Sequence, residues 1–320
     1  MQRLKWLGLA GVLIAASPAL AQSYPSQPVR IIVPFGPGSG SGSDIVARKL
    51  GSYLQERWKQ PVIIDNRPGA QGLIGTEALK NAPPDGYTIG ISTNSTHAVA
   101  PYVVKKLPYD PIADFEHIAL IGVGGSVLLA PSQSPFKTLA ELAAYARAHP
   151  GKVFFGHADA SSQIPGELLR VNAKLPIDGV AYKASGNVVT DLIGGYIQIA
   201  FFNYMTGAAQ ASNGRLIPIA ITESKRNPHW PGVPTVSESY PGYEVNFFVG
   251  VSAPRSVAPE ILAKIHHAIQ DAQHHPKVKE PLENVGLTFV LQALGDYRTF
   301  VRKEGERWRE HVKAAQIEAQ

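Results

Sequence analysis

The chain has 320 residues, with 30 Lys plus Arg against 25 Asp plus Glu, a formal charge of +5 and no cysteine. That length allows two domains, and the absence of cysteine excludes disulfides, thiol nucleophiles and thiolate metal sites. The mild positive excess suits an acidic small molecule, and no Lys/Arg block with interleaved aromatics points to nucleic acid.

At the N-terminus, Arg3 and Lys5 precede an apolar run from Leu7 to Ala16, and Ala19-Leu20-Ala21 fits a small-x-small cleavage site. This reads as a secretory signal peptide over residues 1–21, too short to be a good spanning helix. No later segment is long and apolar enough to span a bilayer, so an exported, soluble protein is expected. Ile31, Ile32 and Val33 then read as a buried strand. A Gly/Ser/Pro loop from Gly36 to Ser43 follows, and Val46, Leu50, Leu54 and Trp58 recur at helical spacing. A small-residue loop opening a helix is a seat for an anion, because the first-turn N–H groups and the positive end of the helix dipole face whatever binds there. Ser39, Ser41 and Ser43 can add hydroxyl donors.

Further along, Pro61–Asp65 predicts a strand, Asn66–Gly72 a turn-rich loop, Ile74–Asn81 a helix and Tyr87–Ser92 a strand with a polar exit at Thr93–His97. Phe115–Gly122 predicts another strand, and the chain is expected to restart near Gly122–Gly125, with Ser126–Ala130 as a separate strand. Thr138 and Glu141 fit a capping box before a helix over Leu139–Ala148. Lys152–Phe155 is a predicted strand. The loop 156–162 leads into a helix, with Ser161 or Ser162 as its cap, and so repeats the first loop's pattern. Gly179–Tyr182 predicts a strand, Ser185 or Asn187 a helix cap, and Tyr196–Asn203, Leu216–Ile221 and Val245–Ser252 further strands. Ile261, Ile265 and Ile269 share one helix face, and Tyr297, Val301 and Trp308 another. The alternation predicts an α/β fold of two domains, each a mostly parallel sheet flanked by helices. Domain 1 is expected over 22–124 and 248–320, domain 2 over 125–247, and a hinge near 122–126 and 244–250.

Other chemistries fit less well. No Gly-x-Gly-x-x-Gly or Walker A register exists around Gly38 and Gly40, although Asp65 ends the next strand as a ribose-binding acid would. His157, Asp159, Ser161 and Ser162 suggest a hydrolase, but no Gly-x-Ser-x-Gly elbow occurs. His267, Asp271 and His275 fall at zinc-ligand spacing, but neighbouring His266 and His274 suggest a solvated face. Phe201, Phe202, Phe247 and Phe248 read as core or hinge, with Asn203 and Tyr204 as better cleft residues.

The segments Tyr24–Phe35, Pro37-Gly38 with Asp44–Arg48, Asp65–Ala70, Pro84–Tyr87, Tyr182-Lys183 with Leu192–Gly195, and Gly232–Val236 together resemble the Bug-type solute-binding receptors of tripartite tricarboxylate transporters. The resemblance implies a two-domain periplasmic binding protein (a Venus flytrap) that holds a small carboxylated solute and delivers it to a two-component inner-membrane permease. It implies no catalytic residue, cofactor or metal, and a monomer is expected. By resemblance, the ligand lies between the loop before Asp44 and the loop 156–162, with main-chain N–H groups on a carboxylate. The ligand-binding residues expected are Phe35, Pro37, Gly38, Ser39, Gly40, Ser41, Asp44, Thr93, Asn94, His97, His157, Ala158, Asp159, Ser161, Ser162, Ser185, Gly186 and Asn203. Selectivity is expected from Asn94, His97, His157, Ser162, Ser185 and Asn203. The sequence departs from the family pattern in a longer 37–44 loop, in a 157–165 loop without the usual later histidine, and in Asn203, where an acidic residue is common. An exported hydrolase or lyase on the same frame, or a sensor subunit presenting its ligand, are the alternatives.

Overall fold

The apolar run Val29–Val33 forms β1, and its burial follows from strands on both sides of it. The structure is a computed structural model describing residues 24–37 and 42–319. The proposed signal peptide and the loop residues Gly38, Ser39, Gly40 and Ser41 therefore lie outside the described residues. After β1 come α1 (Gly42–Trp58), β2 (Val62–Asn66), a 3-10 turn at Ala70–Gly72, α2 (Leu73–Lys80) and β3 (Thr88–Thr93). The polar exit of β3 is a π-helical turn, Asn94–Val99, which runs into α3 (Ala100–Val103).

The long strand β4 (Phe115–Pro131) leads to α4 (Leu139–Ala148), β5 (Phe154–His157), α5 (Ala160–Asn172), β6 (Asp178–Ala181) and α6 (Ser185–Ile193). Then follow β7 (Ile199–Asn203), α7 (Tyr204–Ala211), β8 (Leu216–Ile221), α8 (Val236–Ser239) and β9 (Asn246–Pro254). The chain closes with α9 (Pro259–His274), α10 (Pro276–Glu283), β10 (Thr288–Phe289) and α11 (Asp296–Ala314).

The sheet order is β2-β1-β3-β9-β4-β7-β5-β6, with β8 and β10 also on β4. Parallel pairs lie in each half, β1 with β2 and β3, and β5 with β6 and β7. Antiparallel pairs gather around the crossing strands β4 and β9, which run together from Phe115 opposite Pro254 to Gly125 opposite Asn246.

The restart expected near 122–125 is not a break, because β4 is one strand. Its glycines answer to neighbours rather than to a turn. A Cβ at Gly122 would lie 2.6 Å from Thr288 O, and one at Gly125 would lie 2.5 Å from the Tyr204 hydroxyl. Side chains would push β10 and α7 off the strand.

One apolar cluster joins Val29, Ile31, Leu50, Val251, Ile265 and Ile269. A second joins Phe136, Leu142, Phe155, Ile164 and Phe201. The spacing in α9 and α11 sets which face is buried, not what covers it. The α9 face meets the first cluster, whereas Tyr297, Val301 and Trp308 of α11 lie in the second. That places α11 across the π-helical turn 94–99 and α5.

Candidate functional site

A cavity of about 470 Å³ opens between the two halves of the sheet. Its walls are mostly helix beginnings. From the first half come Gly42 and Ser43 of α1, Gly69, Gln71 and Gly72 before α2, and Thr93, Asn94 and Ser95 at the π-helical turn. From the second come Asp159, Ser161 and Ser162 of α5, Ala184, Ser185 and Gly186 of α6, and Asn203, Met205 and Thr206 of α7. The parallel strand–loop–helix units cause this, since each strand ends at the cavity and its helix starts there. N–H groups in a first turn have no intrahelical acceptor, and the positive ends of the dipoles point inward. The floor is apolar, with Phe201, Phe202, Phe247, Phe248 and Val249.

The helix starts differ in how they are closed. Asp159 caps α5, its Oδ1 accepting from Ser162 N at 2.9 Å, while Ser162 Oγ accepts from Asp159 N at 3.2 Å. The cap is therefore Asp159, not Ser161 or Ser162. Asn203 caps α7, its Oδ1 accepting from Thr206 N at 3.0 Å. By contrast α6 starts after Ala184 with no side-chain cap, so neither Ser185 nor Asn187 serves as one. The start of α6 thus lines the cavity without a side-chain cap, Asn187 N turning back to Ala184 O at 3.1 Å. Likewise α2 starts after Gly72, at φ 96°, with no side-chain cap. Gly42 presses on the second half, for a Cβ there would lie 2.6 Å from Asn203 Oδ1 and 2.8 Å from Met205 Cε.

Ionisable groups are few. Among the described lining residues they are His157, Asp159 and Lys183. Burial lowers the His157 pKa from its ordinary value, against the opposing pull of Asp159 and Glu167, which favours the neutral ring. Lys183 is exposed at the rim before α6.

Of the residues expected from sequence, Phe35, Pro37, Thr93, Asn94, His157, Ala158, Asp159, Ser161, Ser162, Ser185, Gly186 and Asn203 line this cavity. Gly38, Ser39, Gly40 and Ser41 lie outside the described residues. Asp44 does not line it: the buried carboxylate accepts from Arg48 Nε at 2.8 Å and from Asn66 Nδ2 at 2.9 Å. His97 is also turned away. It packs on Phe115 and His117, with Nδ1 2.9 Å from Thr96 Oγ1, because the π-helical turn carries it into the core. Tyr204 is buried too and donates to Glu223 Oε2 at 2.8 Å.

Gln71, Ser126, Lys183 and Thr206 were missed, while the Phe pairs are buried core residues as read and also border the cavity. Gln71 was legible: Gly69-Ala-Gln-Gly72 before Leu73 is again a small loop opening a helix. Ser126 and Thr206 carried no local signal, since β4 and α7 bring them in by tertiary packing. Nor do the rival constellations assemble. The Ser161 and Ser162 hydroxyls donate to Asp159, not to His157. Asp271 pairs with Arg57 at 2.6 Å, and His275 accepts from Lys277 N at the start of α10.

Residues 46–317 match the family described as tripartite tricarboxylate transporter family receptor (TctC). The chain belongs to that family. It is 33% identical to the protein BugT of Bordetella pertussis over 96% of each chain. Among solved structures it is similar to R. palustris Rpa4515 with adipate, at 29% identity and TM-score 0.89, over 93% of this chain and all of that one. It is also similar to MatC of Rhodopseudomonas palustris with bound malate, at 29% identity and TM-score 0.84, over 90% of this chain and all of that one. The periplasmic binding protein BugD matches at 28% identity and TM-score 0.87, covering 93% of this chain and all of BugD.

Proposed function

We propose that this receptor captures a small carboxylated solute in the cavity between its lobes and passes the closed, loaded form to a two-component inner-membrane permease. The carrying observation is that helix beginnings from both halves of the sheet line one cavity. A carboxylate there is met by main-chain donors and by dipoles from two sides. The adipate and malate in the similar structures support the same solute class. The lobes, residues 22–124 with 248–320 and residues 125–247, turn about 122–126 and 244–250, with α11 packed across onto α5 of the second lobe. The solute favours the closed state because only that state offers both sets of donors. The protein works as a periplasmic monomer, uses no cofactor, binds no nucleic acid and returns its solute unchanged.

The test is calorimetric titration with a panel of mono-, di- and tricarboxylates, followed by recovery of the best binder. Binding by one class, recovered intact, is the expected result. Binding by none overturns the carboxylate assignment, and a consumed compound replaces the receptor with an enzyme. Delivery is tested by uptake of that acid in cells, which is lost on deleting either this gene or the permease.

A further inference from the structure

Two side chains of the cavity wall, one from each lobe, hold hydrogen-bonding capacity that the described residues do not use. Asn94, at the start of the π-helical turn, lines the cavity and is 3% exposed, and its Nδ2 has no partner among the described residues. A buried donor in that state costs stability until something accepts from it. On the other lobe, Asp159 is the one carboxylate among the described lining residues. Its side-chain hydrogen bonds converge on Oδ1, from Ser161 Oγ at 2.8 Å, Ser162 N at 2.9 Å and Ser162 Oγ at 2.9 Å, and Oδ2 takes none from any described residue. Capping α5 therefore fixes the carboxylate in place and leaves one of its oxygens able to accept. Asp159 also stands in the 157–165 loop, where this chain departs from the family pattern.

Enclosing a solute strips water from both groups. A solute oxygen set against Asn94 gains a donor. Beside Asp159 Oδ2, a C–H leaves the charge without a hydrogen bond, and a second carboxylate meets like charge. An N–H or O–H there makes a charge-assisted hydrogen bond. The positive end of α5, which would oppose an ammonium, is already met by the same carboxylate.

We propose that the solute carries a hydrogen-bond-donating substituent, an ammonium or a hydroxyl, beside its carboxylate, that Asp159 Oδ2 accepts from this substituent, and that Asn94 Nδ2 donates to a solute oxygen from the other lobe. The inference rests on the capture reading above and names its substrate class.

Matched sets test it by calorimetric titration: succinate, malate and aspartate; glutarate, 2-hydroxyglutarate and glutamate; 3-phenylpropionate, phenyllactate and phenylalanine. In the best-binding set a donor-bearing acid is expected to bind at least about tenfold more tightly than its plain partner, the scale of a hydrogen bond to a charged group. Preference for the hydroxyl member identifies a neutral donor and preference for the amino member a cation, and either supports the proposal. Asp159→Asn and Asp159→Ser keep a capping oxygen but remove the charge, and should bring the donor-bearing acid down to the level of its plain partner. Asn94→Ala should instead weaken both members by a similar factor, about fivefold or more, because it acts on the end they share. A plain acid that binds the native protein as tightly as both its donor-bearing partners overturns the proposal and leaves the capture reading standing. An unchanged preference in the folded Asp159 variants overturns the assignment to Asp159; if neither variant folds, the native ratio decides. No binding by any member of any set overturns the capture reading itself and this inference with it.

Discussion

His117 shows how burial, more than sequence, sets a residue's behaviour. Burial first, then Arg298, lower its pKa from 6.5 to about 4, against the acceptor Pro111 O. His97 beside it is lowered too, by burial and by His117. Both bind protons more readily unfolded than folded, so stability is complete above about pH 6.5 and is lost as the pH falls toward 4. For His117 the loss is about 3 kcal/mol over that window. Urea unfolding at pH 7 and pH 5 should therefore show a clear fall, smaller in His117→Gln. Equal falls in both proteins would show that His117 is not responsible. The sequence named His97 as a ligand residue because a polar strand exit is where cleft residues sit. Only the π-helical turn, which has no sequence signature, directs its ring inward. The Asn203 and Ser185 positions were legible, since small polar residues between a strand and a helix face the strand-end cleft.

At the scale of elements, local signals read well. The capping box of α4 forms as expected, with Thr138 Oγ1 accepting from Glu141 N at 3.2 Å, since both partners lie within one turn. Strand continuity did not read well, because the glycines of β4 are fitted to distant neighbours, Thr288 and Tyr204. The uncapped start of α6 leads to a prediction of opposite signs. Ala184→Asp supplies a cap and should stabilise the empty protein by about 1 kcal/mol. The same carboxylate occupies the anion seat, so solute affinity should fall at least about tenfold. Thermal melting and titration of this one variant check both. Unchanged affinity would mean that α6 does not hold the solute.

For the whole molecule, Gly42 and the pair Asn203 and Met205 mark where the halves touch. Met205 sits on α7 yet is buried in the apolar cluster of the first half. Closure should be sensitive there. Gly42→Leu should weaken solute-induced compaction in small-angle scattering, because its side chain would press on Asn203 and Met205. Full compaction at the native solute concentration would show that this contact does not limit closure. The α/β class and the family were legible along the whole chain, because strand and helix periods and the matching segments are local. The placement of α11 was not: its apolar stripe fits either half, and only the packed structure lays it across α5 and the π-helical turn.

The most direct measurement is a crystal structure of the protein with its tightest-binding organic acid. The expected result is a carboxylate within about 3 Å of first-turn N–H groups from helices of both halves, those of α6 among them. A solute held by Lys183 at the rim, or touching one half alone, would contradict the capture mechanism.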